Sequence, residues 1–308
     1  SIGLPAQNYT VATVQHNFWH QSNVAVTYVD KETLGVRAGD SVKYFHPGIF
    51  KPSSLNNKTQ LRPNNFNRVL DADLETYSKD NTWYASAFFA KSFDDFTKTQ
   101  NTTGGSFVQY NKRHINVIAG NSMVGKNFNA EAGYVPSHGV YPGQINYFMT
   151  TTLKFYPGKN IVYTGPQFSV FQTYIPGNIL TDKQYSLGYN FNFTNTATLL
   201  VSMNYVYSRL TNSFNPIDPS RFTVFEAGDQ YEWKTVSANL TSNTRKLVNV
   251  TAQTTYGGFY NGTNFNANGQ LNFRFQPIGN ISLRFDYNDL RLPENYGREK
   301  LFLVGPRV

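Results

Sequence analysis

Residues 264–293, NFNANGQLNFRFQPIGNISLRFDYNDLRLP, constrain the fold more than any other stretch of the chain. Leu271, Phe273 and Phe275 alternate with Gln270, Asn272, Arg274 and Gln276. After a tight turn at Pro277–Asn280, Ile281, Leu283, Phe285 and Tyr287 alternate with Ser282, Arg284, Asp286 and Asn288. Successive side chains of a strand point to opposite sides, so each run has one oily and one polar face. A half-buried soluble strand usually sustains this over about five or six residues. These runs last for about ten, the length a tilted strand needs to cross a bilayer core.

The pattern recurs along the chain. Strand pairs are expected at 8–20 with 22–31, 66–79 with 81–93, 106–112 with 114–125, and 144–156 with 160–174. Further strands follow at 183–193, 196–209, 230–241 and 245–256, then the opening hairpin, and one more from 298. Trp83, Ala85, Ala87 and Phe89 share a face, as do Tyr185, Leu187, Tyr189, Phe191 and Phe193. That makes about fifteen strands, with no helix-period segment and no composition break dividing domains. Long loops are expected near 32–65, 126–143 and 210–227, where prolines and glycines interrupt the pattern, and Gly104-Gly105 is read as part of the loop TKTQNTTGG. In outer-membrane barrels, long surface loops alternate with short turns in this way.

An antiparallel sheet of this size must close or split, because open edges pair with other chains. Closure with one oily face turns that face outward, into lipid. The expected fold is therefore all-β: a closed antiparallel transmembrane β-barrel of the outer-membrane type. It would fill residues 1–308 as a single domain and have sixteen or eighteen strands when complete. Composition agrees. Only 15% of residues are charged, 16% are aromatic with 25 Phe and 21 Tyr, and mean hydropathy is −0.45. A lumen face offsets a lipid face in any such average. Tyr147, Tyr163, Tyr205, Tyr207, Tyr231, Trp233, Tyr256 and Tyr260 suit girdles at the membrane interfaces. The chain has no cysteine, so neither disulfides nor thiolate metal sites arise. The charge of +8 comes from scattered Lys and Arg, which suits loops and lumen better than nucleic acid. No signal peptide opens the chain, so it is expected to be a piece of a longer protein whose targeting signal lies outside it.

Three stretches carry a resemblance: NFNRVLDADLETYSKDNTWYASAFFAKSF (65–93), NFNAEAGYVP (127–136) and GGFYNGTNFNANGQLNFRFQPIGNISLRFDYNDLRLPENYG (257–297). They resemble an outer-membrane β-barrel family of unknown function in Bacteroidota-type bacteria, often found behind an N-terminal family-9-like carbohydrate-binding module. The second stretch is similar to a Phe-Asn-Pro-Glu-Val-Gly-Phe-Val-Pro-Arg signature, with Ala130 in place of the proline and Ser137 in place of the arginine. The resemblance implies an integral outer-membrane location, a Gram-negative source, and a link to carbohydrate-related solutes. It implies no established chemistry.

Asp71, Asp73 and Glu75 alternate on one strand and share a face. They could bind Ca²⁺ or form an acid/base pair, but extended carboxylates splay, so a lumen row neutralised by Arg274, Arg284 or Lys154 is the preferred reading. These six residues are the expected lumen lining. His16 and His20 are too far apart for one metal ion, and no nucleophile elbow, phosphate loop or dinucleotide fingerprint occurs. No catalytic, cofactor or metal site is therefore expected, and the protein is read as a non-enzyme. Within 126–143, Phe128, Asn129, Glu131, Gly133, Tyr134 and Pro136 form either a constriction folded into the lumen or an ordinary connection available to partners. Two functions follow, with an outer-membrane enzyme a distant third for want of a catalytic constellation. One is a channel or uptake component. The other is a structural or accessory barrel subunit with a plugged lumen, whose loops at 32–65 and 210–227 bind other outer-membrane or surface proteins. In both, lipopolysaccharide and phospholipid surround the barrel and nucleic acid is not a partner.

Overall fold

The alternating runs become strands at nearly every expected place. The computed structural model describes residues 6–19, 21–35, 65–95, 98–133, 143–275 and 279–307. Its strands are β1 (Ala6–Phe18), β2 (Ser22–Leu34), β3 (Phe66–Tyr77), β4 (Trp83–Asp94), β5 (Thr102–Asn111), β6 (Ile115–Val124), β7 (Gln144–Leu153) and β8 (Ile161–Ile175). They continue with β9 (Ile179–Phe193), β10 (Thr198–Arg209), β11 (Gln230–Thr241), β12 (Val248–Phe259), β13 (Gly262–Phe275), β14 (Gly279–Arg291) and β15 (Arg298–Arg307). They form one fifteen-stranded antiparallel sheet in chain order, with no helix among the described residues. Two compact units are distinguished: residues 1–110, 119–147 and 173–179, and residues 111–118, 148–172 and 180–308.

Tight turns sit where the sequence requires them. Asn81, Lys159 and Asn178 take left-handed backbone, and Gly158 and Gly177 do so as neighbours of the last two. The long connections all follow even-numbered strands, after β2, β6 and β10, whereas 78–82, 112–114 and 194–197 are short. β2 runs to Leu34, so the first long connection begins later than expected; residues 36–64 lie outside the described part.

Two strands begin four residues earlier than the sequence suggests: β9 starts at Ile179 rather than residue 183, and β5 at Thr102 rather than residue 106. Gly104 and Gly105 belong to β5 rather than to a loop. A Cβ on Gly105 would stand 2.8 Å from the Asn121 carbonyl oxygen and 2.9 Å from the Phe88 ring, so glycine permits the neighbouring strands to approach.

Burial runs opposite to that of a water-soluble sheet. In the first unit Ser92 is 1% exposed and its neighbour Phe93 is 42% exposed. In the second, Ser202 is 8% exposed and Met203 is 64% exposed. Register extends each face across strands. Met203 lies opposite Leu187 and Val236, all exposed, and Ser202 lies opposite Gly188 and Ser237, all buried. In the first unit Leu74, Ala72 and Leu70 align with Val24, Val26 and Tyr28 on the exposed face.

Candidate functional site

The polar face is held by side-chain hydrogen bonds between strands. In the second unit Ser186 Oγ donates to Asn204 Oδ1 at 2.7 Å, and Asn204 Nδ2 donates to Ser237 Oγ at 3.1 Å. Ser202 and Ser237 hydroxyls lie 2.8 Å apart. Asn272 Nδ2 donates to Asn249 Oδ1 at 2.9 Å, and Asn266 Nδ2 to Asp286 Oδ1 at 3.3 Å. Such pairing lets most of a polar surface be withdrawn from bulk water at little cost; Asp71 Oδ1, Asn264 Oδ1 and Asn288 Oδ1 are buried without a partner.

Of the residues expected to line a lumen, Glu75, Arg284, Arg274 and Lys154 meet groups on or beside adjacent strands. Asp71, Asp73 and Glu75 are half-buried and alternate with exposed Ala72 and Leu74. Asn23 Nδ2 and the Tyr84 hydroxyl each donate to Glu75 at 3.3 Å. Arg284 Nε donates to Gln270 Oε1 at 3.1 Å, Arg274 donates to the Thr244 carbonyl at 2.8 Å, and Lys154 lies over the Tyr163 ring at 5.6 Å. Neutral groups thus meet Glu75, Arg284, Arg274 and Lys154, whereas Asp71 Oδ1 is withdrawn from solvent without a hydrogen-bond partner. Among the described residues no three His, Asp or Glu side chains converge as a metal site.

Two connections fold over the polar face. In the first unit, residues 125–133 are held by turns: Gly125 N donates to Thr102 O at 2.7 Å and Gly133 N to Ala130 O at 3.0 Å. Phe128 is buried. Asn67, a β3 residue on the polar face, brackets the segment. Its Nδ2 donates to Asn129 O at 3.0 Å and its Oδ1 accepts from Glu131 N at 2.9 Å. Asn129 N donates to Ser92 Oγ at 3.1 Å, and Glu131 pairs with Lys31 in a nearly buried ion pair. Beside it, Arg68 bridges Asp30 at 2.9 Å and Glu32 at 3.0 Å. Of the two alternatives for Phe128, Asn129, Glu131 and Gly133, the described part lies over the polar face; Tyr134 and Pro136 lie outside the described residues.

In the second unit, residues 210–229 build a hydrophobic core that the sequence did not reveal. Phe225 is fully buried and stacks on Tyr296 at 4.7 Å and Tyr260 at 5.1 Å, with Leu210 and Leu292 completing the cluster. Asn215 pins the loop. Its Nδ2 donates to the Thr223 and Tyr296 carbonyls at 2.7 and 3.2 Å, and its Oδ1 accepts from Ile217 N and Asp218 N at 2.8 and 3.1 Å. Tyr231 and Tyr260 pack into this cap, and Trp233 lies 5.0 Å from Tyr260, so these three are not girdle residues. Tyr147 and Tyr256 are exposed on the apolar face. The Ser220 hydroxyl and backbone amide hold the Asp218 carboxyl below its ordinary range.

No family model, no curated protein and no solved structure matches this chain.

Proposed function

We propose that this protein is an integral outer-membrane β-barrel acting as a channel or substrate-uptake component. One observation carries the reading: within single strands, large apolar side chains face outward while serines, threonines and asparagines are buried. In water, contiguous exposed apolar surface on this scale is an aggregation hazard. In lipid it is the required outer wall, and the hydrogen-bonded polar face becomes the lumen. The strands of ten to fifteen residues suit a tilted crossing. On this reading the sheet closes into a barrel of sixteen or eighteen strands, and the connections after even-numbered strands face the cell exterior. Lipopolysaccharide and phospholipid contact the outer wall. Membership of the Bacteroidota-type barrel family follows as part of the same proposal, and the barrel performs no catalysis.

The two connections over the polar face favour a narrowed passage over a wide pore. They also support a second reading, an accessory subunit whose lumen is plugged by residues 125–133 and 210–229. Single-channel conductance of the native-length protein in a planar bilayer separates these. Steady openings support the channel. A stably inserted, silent barrel would refute it in favour of the plugged subunit.

A further inference from the structure

On the polar face of the second unit, side chains of β8 to β13 line an open cavity of about 560 Å³. Its size falls within the roughly 300–1,000 Å³ of small-molecule sites. The walls carry no carboxylate, ammonium or guanidinium group. They are mostly hydroxyls and carboxamides, with Asn204, Ser237, Gln253 and Asn264 among them, joined by the aromatic pair Trp233 and Phe259 and by Leu200 and Val206. The two rings lie 6.2 Å apart, and both rest against the ordered cap through Tyr260.

This lining discriminates between ligand classes. A phosphate, carboxylate or ammonium ligand would exchange water for walls without a counter-charge, which is costly. A purely apolar ligand would strip water from the carboxamides without replacing their hydrogen bonds. A neutral polyol with one apolar face meets both kinds of wall. Its hydroxyls both donate and accept, as Asn and Gln side chains do, and its C–H face lies on an indole or phenyl ring. One wall atom is already waiting for a donor: Asn264 Oδ1 is withdrawn from solvent and has no hydrogen-bond partner. A buried acceptor left in that state costs stability unless a bound molecule supplies the proton.

We propose that this cavity is a binding site for an uncharged, hydroxyl-rich solute, a neutral saccharide, with Trp233 and Phe259 as stacking platform and Asn264 as an acceptor. The proposal rests on the polar face being the channel lumen, where the site would hold a sugar in transit.

The chain contains three tryptophans. Trp19→Phe with Trp83→Phe therefore leaves Trp233 as the sole indole. In this background, the native-length protein is titrated in detergent with neutral hexasaccharides (α-1,4-glucan, β-1,4-glucan and β-1,4-mannan) and with an oligogalacturonate as the charged control. A saturable change in Trp233 emission is expected with at least one neutral sugar and not with the oligogalacturonate. Asn264→Leu is expected to weaken it about tenfold, the loss of one buried hydrogen bond. Gln253→Leu, on a neighbouring strand, provides a second variant, and far-UV circular dichroism reports whether each variant remains folded. Absence of a response to every neutral sugar, or an equal response to the charged one, overturns the site. Bilayer recordings on the same protein separate the two claims. Openings without sugar response leave the channel and remove the site, and a saturable response from a silent barrel leaves the site and removes the channel.

Discussion

Phe225→Ala tests whether the 210–229 connection is a folded cap or merely a loop lying on the surface. The ring is completely buried, with Phe214, Tyr231, Tyr260 and Tyr296 centred 4.7–5.9 Å away. Truncating a phenylalanine in such a setting costs about 3–5 kcal/mol. The strands do not depend on this ring, so the cost falls on the equilibrium between closed and open cap. At 1.4 kcal/mol per factor of ten, the open fraction rises between roughly a hundred- and several-thousand-fold. Tryptic cleavage after Arg221 reads that fraction. Arg221 is exposed, but its amide and that of Phe222 are tied to the Asp218 carbonyl at 3.3 and 3.1 Å, which holds the bond in a turn. When reclosing outpaces cleavage, the rate follows the open population. A cleavage rate at Arg221 unchanged by the substitution, in protein that keeps its β circular dichroism, would refute the cap.

Other consequences follow from the same geometry. Glu131→Gln leaves the Lys31 ammonium in a nearly buried position without its anion, a loss of about 3–5 kcal/mol; faster tryptic cleavage after exposed Lys126 and a higher conductance are expected. The double variant Lys31→Met with Glu131→Leu should recover much of the stability, as a double-mutant cycle would measure. Met203→Arg places a charge on the outward face and should destabilise the barrel by about 2–4 kcal/mol near the bilayer midplane, read by urea unfolding in vesicles. Thr251→Lys, on the polar face, should instead shift ion selectivity with little change in that unfolding. Asp218, held below the ordinary carboxylate range by Ser220, contributes stability above its unfolded pKa and loses it as pH falls through the lowered folded value. The 215–223 turn should therefore resist a protease at neutral pH and loosen only in acid below the usual carboxylate range, whereas Asp218→Asn should be loose throughout.

The strands were legible because a two-residue period sorts side chains locally, without reference to the rest of the chain. About fifteen were expected, and fifteen lie among the described residues. β5 was clipped because Gly104 and Gly105 read as punctuation, and only the nearness of Phe88 and Asn121 explains two glycines within a strand. The cap is illegible in the sequence for the opposite reason. Phe214, Ile217 and Phe225 have no common period, and Tyr260, Leu292 and Tyr296 join them from other connections. The dense aromatics around Pro216 and Pro219 were its one visible signal. The charged residues are the natural candidates for a lumen because they stand out in the sequence; Asp71, Asp73 and Glu75 alternate with exposed Ala72 and Leu74. The neutral cavity was hidden because its Asn, Gln, Ser and Thr are the commonplace residues of the whole chain. Only register brings Ser186, Asn204, Thr235 and Asn264 into one row across five strands, β9 to β13.

Which face of the strands would meet lipid is directly measurable, because the sequence has no cysteine. Leu187→Cys and Ser186→Cys, each in native-length protein reconstituted in vesicles, differ by one residue and by opposite faces of β9. A polarity-sensitive fluorophore on residue 187 should be quenched by brominated acyl chains, while the thiol at 186 should react with a small charged methanethiosulfonate. Lipid quenching at 186 with aqueous reactivity at 187, or aqueous reactivity at both, would contradict the membrane barrel.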